Sequence, residues 1–120
     1  MKIAIPTMGE AGLDSERSGH FGHCDCFTII EVSDGEIVGV SALDNPPHEE
    51  GGCLRPVSLL ADAGIDAIVA AGMGMRPMMG FSQVGITVLF ENQTPNVGEV
   101  AKMAAAGQLP AMGAEHACHH

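Results

Sequence analysis

Three times in this chain a proline opens a segment that a glycine closes: Pro56 with Gly64, Pro77 with Gly85, and Pro95 with Gly107. Proline suits the first turn of a helix, where its missing N–H costs nothing, and glycine takes the left-handed conformation that ends one. Each interval is read as a short helix, the first carrying an apolar stripe of Val57, Leu60 and Ala61. Directly after two of the stops come residues 65–71 and 86–90, apolar runs with few polar positions, as expected of strands covered on both faces. Short helices alternating with buried strands restrict the chain to a sheet with helices packed on it.

The first half of the chain has a different period. Residues 2–6 form a short strand with Ile3 and Ile5 on one face. Residues 26–32 and 36–43 are β-rich and separated by Ser33-Asp34-Gly35, and Asp-Gly between apolar runs is a strong hairpin signal. Between the first strand and this hairpin, residues 7–22 are rich in Gly, Ser and charge without periodicity, and so long a connection in a small domain is functional or mobile. The order is β-β-β-α-β-α-β-α. A hairpin feeding right-handed crossovers predicts an α/β fold with a mixed five-stranded sheet and helices on it. Residues 1–107 are read as one domain. Residues 108–120 are read as a flexible tail ending in His116-Ala117-Cys118-His119-His120, able to take up metal adventitiously.

Composition excludes several classes of partner. Five Lys and Arg against fifteen Asp and Glu give a formal charge of −10, with no Trp, no Tyr and no basic cluster. Neither tracking of phosphates nor base stacking has a basis, so no nucleic acid is expected. The longest apolar stretch, residues 67–75, is broken by glycines and falls short of the ~20 residues of a membrane helix. The first residues lack signal-peptide architecture, so the expectation is a cytoplasmic protein with no membrane partner. The remaining peculiarity is soft-atom content: four Cys, six His and eight Met among 120 residues. Without an export signal, such cysteines are reduced thiols or metal ligands before they are a disulfide framework.

The topology brings these side chains together. If the first, third, fourth and fifth strands are parallel and the second runs against them, four C-terminal strand ends and the start of the second share one edge. Open α/β sheets bind ligands at that edge. The segments delivered there carry Arg17, His20, His23, Cys24, Cys26, His48, Cys53 and Arg76.

Each candidate has a plainer reading beside the functional one. Cys24-Asp25-Cys26 puts two thiols on one face of an extended segment, but two thiols are half a metal site, and structural zinc prefers a longer spacing. His20 and His23 bracket a turn that is either a metal arm or a tight bend with Phe21 packed inward. Cys53 precedes a helix, where the dipole favours thiolate, or is a small buried apolar residue. Gly72-Met73-Gly74-Met75-Arg76 lies between a buried strand and a helix start, where exposed N–H groups and Arg76 can cradle an anion. It is neither a dinucleotide fingerprint nor a P-loop, and a close-packed turn is the alternative. Met73, Met75, Met78 and Met79 suit soft metals, or fill core gaps. No nucleophile elbow, His-Glu-x-x-His or acid–base set is marked, so an enzyme acting on small anions ranks last.

Ile3-Ala4-Ile5-Pro6, Ser18-Gly19-His20-Phe21-Gly22, Asn45-Pro46, Gly64-Ile65-Asp66, Gly72-Met73-Gly74, Gly85-Ile86, Thr94 and Gly107-Gln108-Leu109 together resemble the dinitrogenase iron–molybdenum cofactor biosynthesis family. Each motif is short; their order and spacing over about residues 1–110 carry the resemblance. It implies a ribonuclease H-like mixed sheet without nuclease activity. It also implies binding, carriage or assembly of a molybdenum- or iron-containing sulfide cluster, including mixed molybdenum–copper sulfide or an iron–molybdenum–sulfur precursor, with an acceptor or delivery protein as partner. The family's His-Phe-Gly motif maps to His20, Phe21 and Gly22, and its glycine turn to Gly72 and Gly74. Met73, Met75 and Arg76 join that cofactor-binding set on chemical grounds. Cys24, Cys26, Cys53, His23 and His48 are candidate metal ligands on the edge argument alone. Against the non-enzymatic carrier stands a thiol-based metal-binding or redox regulator using Cys24, Cys26 and Cys53.

Overall fold

The computed structural model describes residues 1–10, 12–17, 26–44, 55–70, 73–91, 93–109 and 117–118. Its centre is strand β1 (Lys2–Met8), buried from Ile3 to Thr7 on both faces. On one side β1 pairs antiparallel with β3 (Cys26–Ser33), from Lys2↔Glu31 to Thr7↔Cys26. On the other it pairs parallel with β5 (Ala67–Ala70) through Ile3↔Ala67 and Ala4↔Ile68. β4 (Glu36–Asp44) extends the sheet antiparallel to β3, and β7 (Thr87–Phe90) extends it parallel to β5. The order is β4-β3-β1-β5-β7. The β3–β4 hairpin turns on Asp34 and Gly35, with φ of 53° and 80°, the paired positive values that match the twist of two antiparallel strands.

The principal elements follow the expected order, and the sheet is mixed. It has six strands rather than five, because β2 (Glu16–Arg17) pairs antiparallel with β1 at Met8↔Glu16 and Thr7↔Arg17. β3 occupies the other flank of Thr7, so β2 fills the place beside β1 that β5 leaves beyond Ile68. Two further two-residue strands, β6 (Met73–Gly74) and β8 (Ala117–Cys118), pair parallel with each other. β8 falls within residues 108–120, most of which lie outside the described residues.

The helices close both faces. Phe81 of α2 (Met75–Gln83) and Leu60 of α1 (Arg55–Asp62) pack with Ala4, Phe27, Ile29, Ile68 and Val88. α3 (Val97–Ala105) puts Val97, Val100, Ala101 and Ala104 against Ile3, Ile5, Ile30 and Val69. The three glycine stops stand where expected, with φ between 72° and 80° at Gly64, Gly85 and Gly107. Helix starts differ by one or two residues. α2 begins at Met75, before Pro77, and α3 is capped by Asn96, whose side chain accepts from the Glu99 N–H at 2.9 Å. Among the described residues no helix is long and apolar enough to cross a membrane.

The connection after β1 is held by backbone as far as Arg17. The N–H groups of Val97 and Gly98 at the start of α3 donate to the carbonyls of Ser15 (3.0 Å) and Leu13 (2.8 Å). This approach requires glycine. A Cβ on Gly98 would lie 2.5 Å from the Leu13 carbonyl oxygen and 3.1 Å from Asn96 Oδ1. Gly98→Ala is expected to lower stability by about 1–3 kcal/mol through overpacking, although alanine gains about 1 kcal/mol of helix propensity. Urea unfolding decides it, and a stabilised variant would refute the close docking of residues 13–15 on α3.

Candidate functional site

All the long strands deliver one end to the same edge. β1, β4, β5 and β7 finish there and β3 starts there, so Asp44, Cys26 and Thr7 stand side by side, with Ala70 and Phe90 paired further along. The segments 18–25, 45–54 and 71–72 join described residues at this edge. His20, Phe21, Gly22, His23 and Cys24, His48 and Cys53, and Gly72 lie outside the described residues. The structure places Cys26, Arg17 and the backbone of Met73, Gly74, Met75 and Arg76 at the edge.

Cys26 is the first residue of β3, 5% exposed, with its thiol donating to the Gly9 carbonyl at 3.3 Å. Beside it a buried hydroxyl relay closes the end of β1. Thr7 donates to the Ile5 carbonyl (2.8 Å), Thr28 therefore donates to Thr7 (2.7 Å), and the Gly12 N–H donates to Thr28 (3.2 Å). Every hydroxyl of this pair has a partner, as burial demands. It fixes where residues 9–12 leave the sheet and hence where the following segment begins.

Met73 and Gly74 form β6, and Met75 and Arg76 open α2. The glycine turn therefore runs straight into a helix N-terminus, with its unshared N–H groups and the positive end of the helix dipole. Those are the features an anion cradle needs.

An ion pair that no local motif announces dominates the rest of the edge. Arg17 and Glu91 are 74 positions apart, yet Nη1 of Arg17 lies 2.5 Å from Glu91 Oε1, with side chains 4% and 11% exposed. Arg17 also donates to the carbonyls of Glu91 and Thr94, and its backbone N–H donates to the Pro95 carbonyl at 2.7 Å. Glu91 accepts besides from the N–H groups of Gln93 (2.9 Å) and Thr94 (3.0 Å) and from the Thr94 hydroxyl (2.9 Å). Burial alone would raise the Glu91 carboxyl, but the bonds from Thr94, Gln93 and Arg17 outweigh it and hold it below its ordinary range. Burial likewise draws Arg17 down, against the opposing pull of Glu91. The pair staples β2 to the β7–α3 connection across the end of β5. Both carboxylate oxygens are engaged, so Glu91 is a wall of the edge rather than a spare ligand. Nε of Arg17 is buried without a partner among the described residues. Topology brings both Arg17 and residues 91–94 to this edge, but no pattern in the sequence pairs them; the available signal is a lone Glu91 just after a buried strand. Among the described residues no three His, Cys, Asp or Glu side chains gather into a metal site.

Residues 1–107 match the family model described as dinitrogenase iron-molybdenum cofactor. An uncharacterised protein of Methanocaldococcus jannaschii is 33% identical over 112 residues, covering 91% of this chain and 89% of that one. Among solved structures, the apo form of the orange protein from Desulfovibrio gigas superposes with a TM-score of 0.79 at 21% identity, covering 92% of both chains. A Thermotoga protein solved by NMR gives 0.72 at 23% identity, over 92% of this chain and 91% of its own. At such identities these two likenesses speak for the fold.

Proposed function

Because the chain belongs to the dinitrogenase iron-molybdenum cofactor family, we propose that it is a non-enzymatic carrier or scaffold, holding a molybdenum- or iron-containing sulfide cluster at the C-terminal edge of its sheet. The observation that carries the reading is the glycine turn entering α2 at the edge where β1, β5 and β7 end. A sulfide cluster is a soft anion. Backbone N–H groups at Gly72 and Gly74, the charge of Arg76 and the thioethers of Met73 and Met75 are the group types it would be held by. His20, Phe21 and Gly22 stand in the sequence between β2 and Cys26, the residue with which β3 starts at this edge. In its finer form the reading takes a mixed molybdenum–copper sulfide as cargo and a ribonuclease H-like sheet as scaffold. The −10 formal charge opposes an anionic cargo at long range, so the cradle works by short-range contacts that salt screens little.

A carrier must stand without its cargo. The hydroxyl relay and the Arg17–Glu91 staple form the edge from the protein's own groups, and the D. gigas orange protein has an apo form. Binding rather than hydrolysis is favoured because Glu91, the largely buried carboxylate described at this edge, spends its acceptors on Arg17, Gln93 and Thr94.

Metal and acid-labile sulfide analysis, with a visible spectrum, on protein purified anaerobically from its host tests this. Stoichiometric molybdenum or iron with sulfide and strong visible absorption is expected, and a colourless protein holding zinc or nothing would overturn the carrier. Gly74→Val and His20→Ala should each lose the cluster while remaining folded. A Cys24, Cys26 and Cys53 to Ser triple variant that keeps it would show that the cradle does not need thiolates, and loss in that variant alone would favour the thiol-based reading.

A further inference from the structure

The two borders of the main sheet are unequal. β7 closes one side with four residues, whereas β4, nine residues long, closes the other, and no described strand pairs its outer side. A border strand offers unpaired N–H and C=O groups to any extended chain, and proteins ordinarily blunt it with Lys, Pro, brevity or a bulge. β4 reads Glu-Ile-Val-Gly-Val-Ser-Ala-Leu-Asp, with neither Lys nor Pro. Its one irregularity lies near the turn, where the register shifts between Glu31 and Val32. From Gly39 to Asp44 it pairs with β3 residue for residue.

Side chains along this border are accessible. Val38 is 61% exposed and Val40 46%, with Ser41 and Ala42 exposed beyond them. Val40 stands opposite Ile30, which is fully buried under α3, so the cover that α3 provides ends between the two strands. The charge here has one sign. Asp34, Glu36 and Asp44 are the ionisable residues from 33 to 44, and Asp34 and Glu36 are exposed. A second copy of this chain would bring the same carboxylates and another −10 of charge to the border, which opposes self-pairing. An extended segment alternating apolar with basic side chains is complementary instead. Its main chain completes the ladder, its apolar groups cover Val38 and Val40, and its cations offset Asp34 and Glu36.

We propose that β4 is the docking border for such a segment of another protein, which adds there as a seventh strand of the main sheet. β4 ends at Asp44, in register with Cys26, so a docked strand runs up to the edge proposed for the cargo. The pairing itself needs no cargo and goes beyond the carrier reading.

Cargo-free protein is tested with an end-capped synthetic peptide, Lys-Val-Arg-Val-Lys-Val-Lys. Its control, Lys-Pro-Arg-Pro-Lys-Pro-Lys, has equal charge but cannot complete a ladder. The valine peptide should bind saturably below about 1 mM. It should bind about tenfold more tightly than the proline peptide and slow amide exchange within residues 37–44. Replacing both exposed valines, Val38→Lys with Val40→Lys, should weaken binding about tenfold or more. Glu36→Lys, exposed and outside the core, should weaken it by charge alone, and serves if the double variant is unstable. Equal binding of the two peptides, protection away from β4, unaltered affinity in the variants, or no saturation at about 1 mM would overturn the proposal. So would a dimer in sedimentation that Val38→Lys with Val40→Lys dissolves, since the border would then belong to a second copy. No cluster enters these measurements, so their failure and that of the carrier reading are distinguishable.

Discussion

Glu91→Ala is expected to remove about 3–5 kcal/mol of folding stability, because it strands the Arg17 guanidinium, 4% exposed, without its counter-charge. One feature places the loss near the lower figure, since Arg17 keeps its bonds to the carbonyls of residue 91 and Thr94; against it, arginine cannot shed its proton to escape burial, so the loss stays within this range. Even so, a domain of this size has only about 5–15 kcal/mol to lose. Glu91→Gln retains the shape and one carbonyl acceptor, so it should fall between wild type and alanine. Urea unfolding of the three proteins at neutral pH gives the ranking, and equal midpoints would mean that the staple does not hold the β7–α3 connection.

The same pair sets a pH dependence whose sign is fixed by the depressed Glu91 carboxyl. A group held below its unfolded value stabilises the fold fully above that unfolded value. Its contribution fades as pH falls through the folded one, because the unfolded chain takes up the proton first. The stability gap between wild type and Glu91→Ala should therefore be constant around neutrality and narrow below the ordinary carboxylate range. A gap that widened on acidification would contradict the assignment.

What the chain discloses in advance and what it hides divide along a physical line. Pro56, Pro77 and Pro95 with Gly64, Gly85 and Gly107 act through their own backbone limits, and Asp34-Gly35 does the same for the hairpin. Local chemistry of that kind is legible without neighbours. β2, β6 and β8 are two residues each, too short for an alternating pattern to exist, so nothing in the sequence distinguishes them from loop and tail. The docking of residues 13–15 on α3 works through the carbonyls of Leu13 and Ser15, which no side-chain pattern marks. The displaced start of α3 has a cause in the same region: the Pro95 carbonyl accepts the Arg17 N–H, the Thr94 carbonyl accepts from its guanidinium, and Asn96 takes the cap. The convergence of strand ends on one edge followed from topology alone, and the structure has it. Which side chain meets which across that edge depends on contacts 74 positions apart, as Arg17 and Glu91 illustrate.

Phe81→Ala should cost stability on a similar scale, about 3–5 kcal/mol, with consequences at the edge that the staple variant lacks. Phe81 is fully buried in the second half of α2, in the cluster formed with Phe27, Leu60, Ile68 and Val88. α2 also carries Met75 and Arg76 in its first turn, so the side chain that seats the helix on the sheet holds the cradle at its other end. Truncation to alanine leaves a cavity and frees the helix to shift, and displacements of about 1 Å are enough to spoil a constellation of short contacts. Phe81→Leu conserves most of the volume and should cost under about 1.5 kcal/mol. Under the carrier reading the two variants separate packing from binding. At a temperature where both are folded, the alanine variant should release its cluster faster than the leucine variant, whereas Glu99→Ala, exposed on α3 and remote from α2, should match wild type. Equal release by all three would mean that α2 does not position the cargo, and would move the site to the segment between β2 and β3.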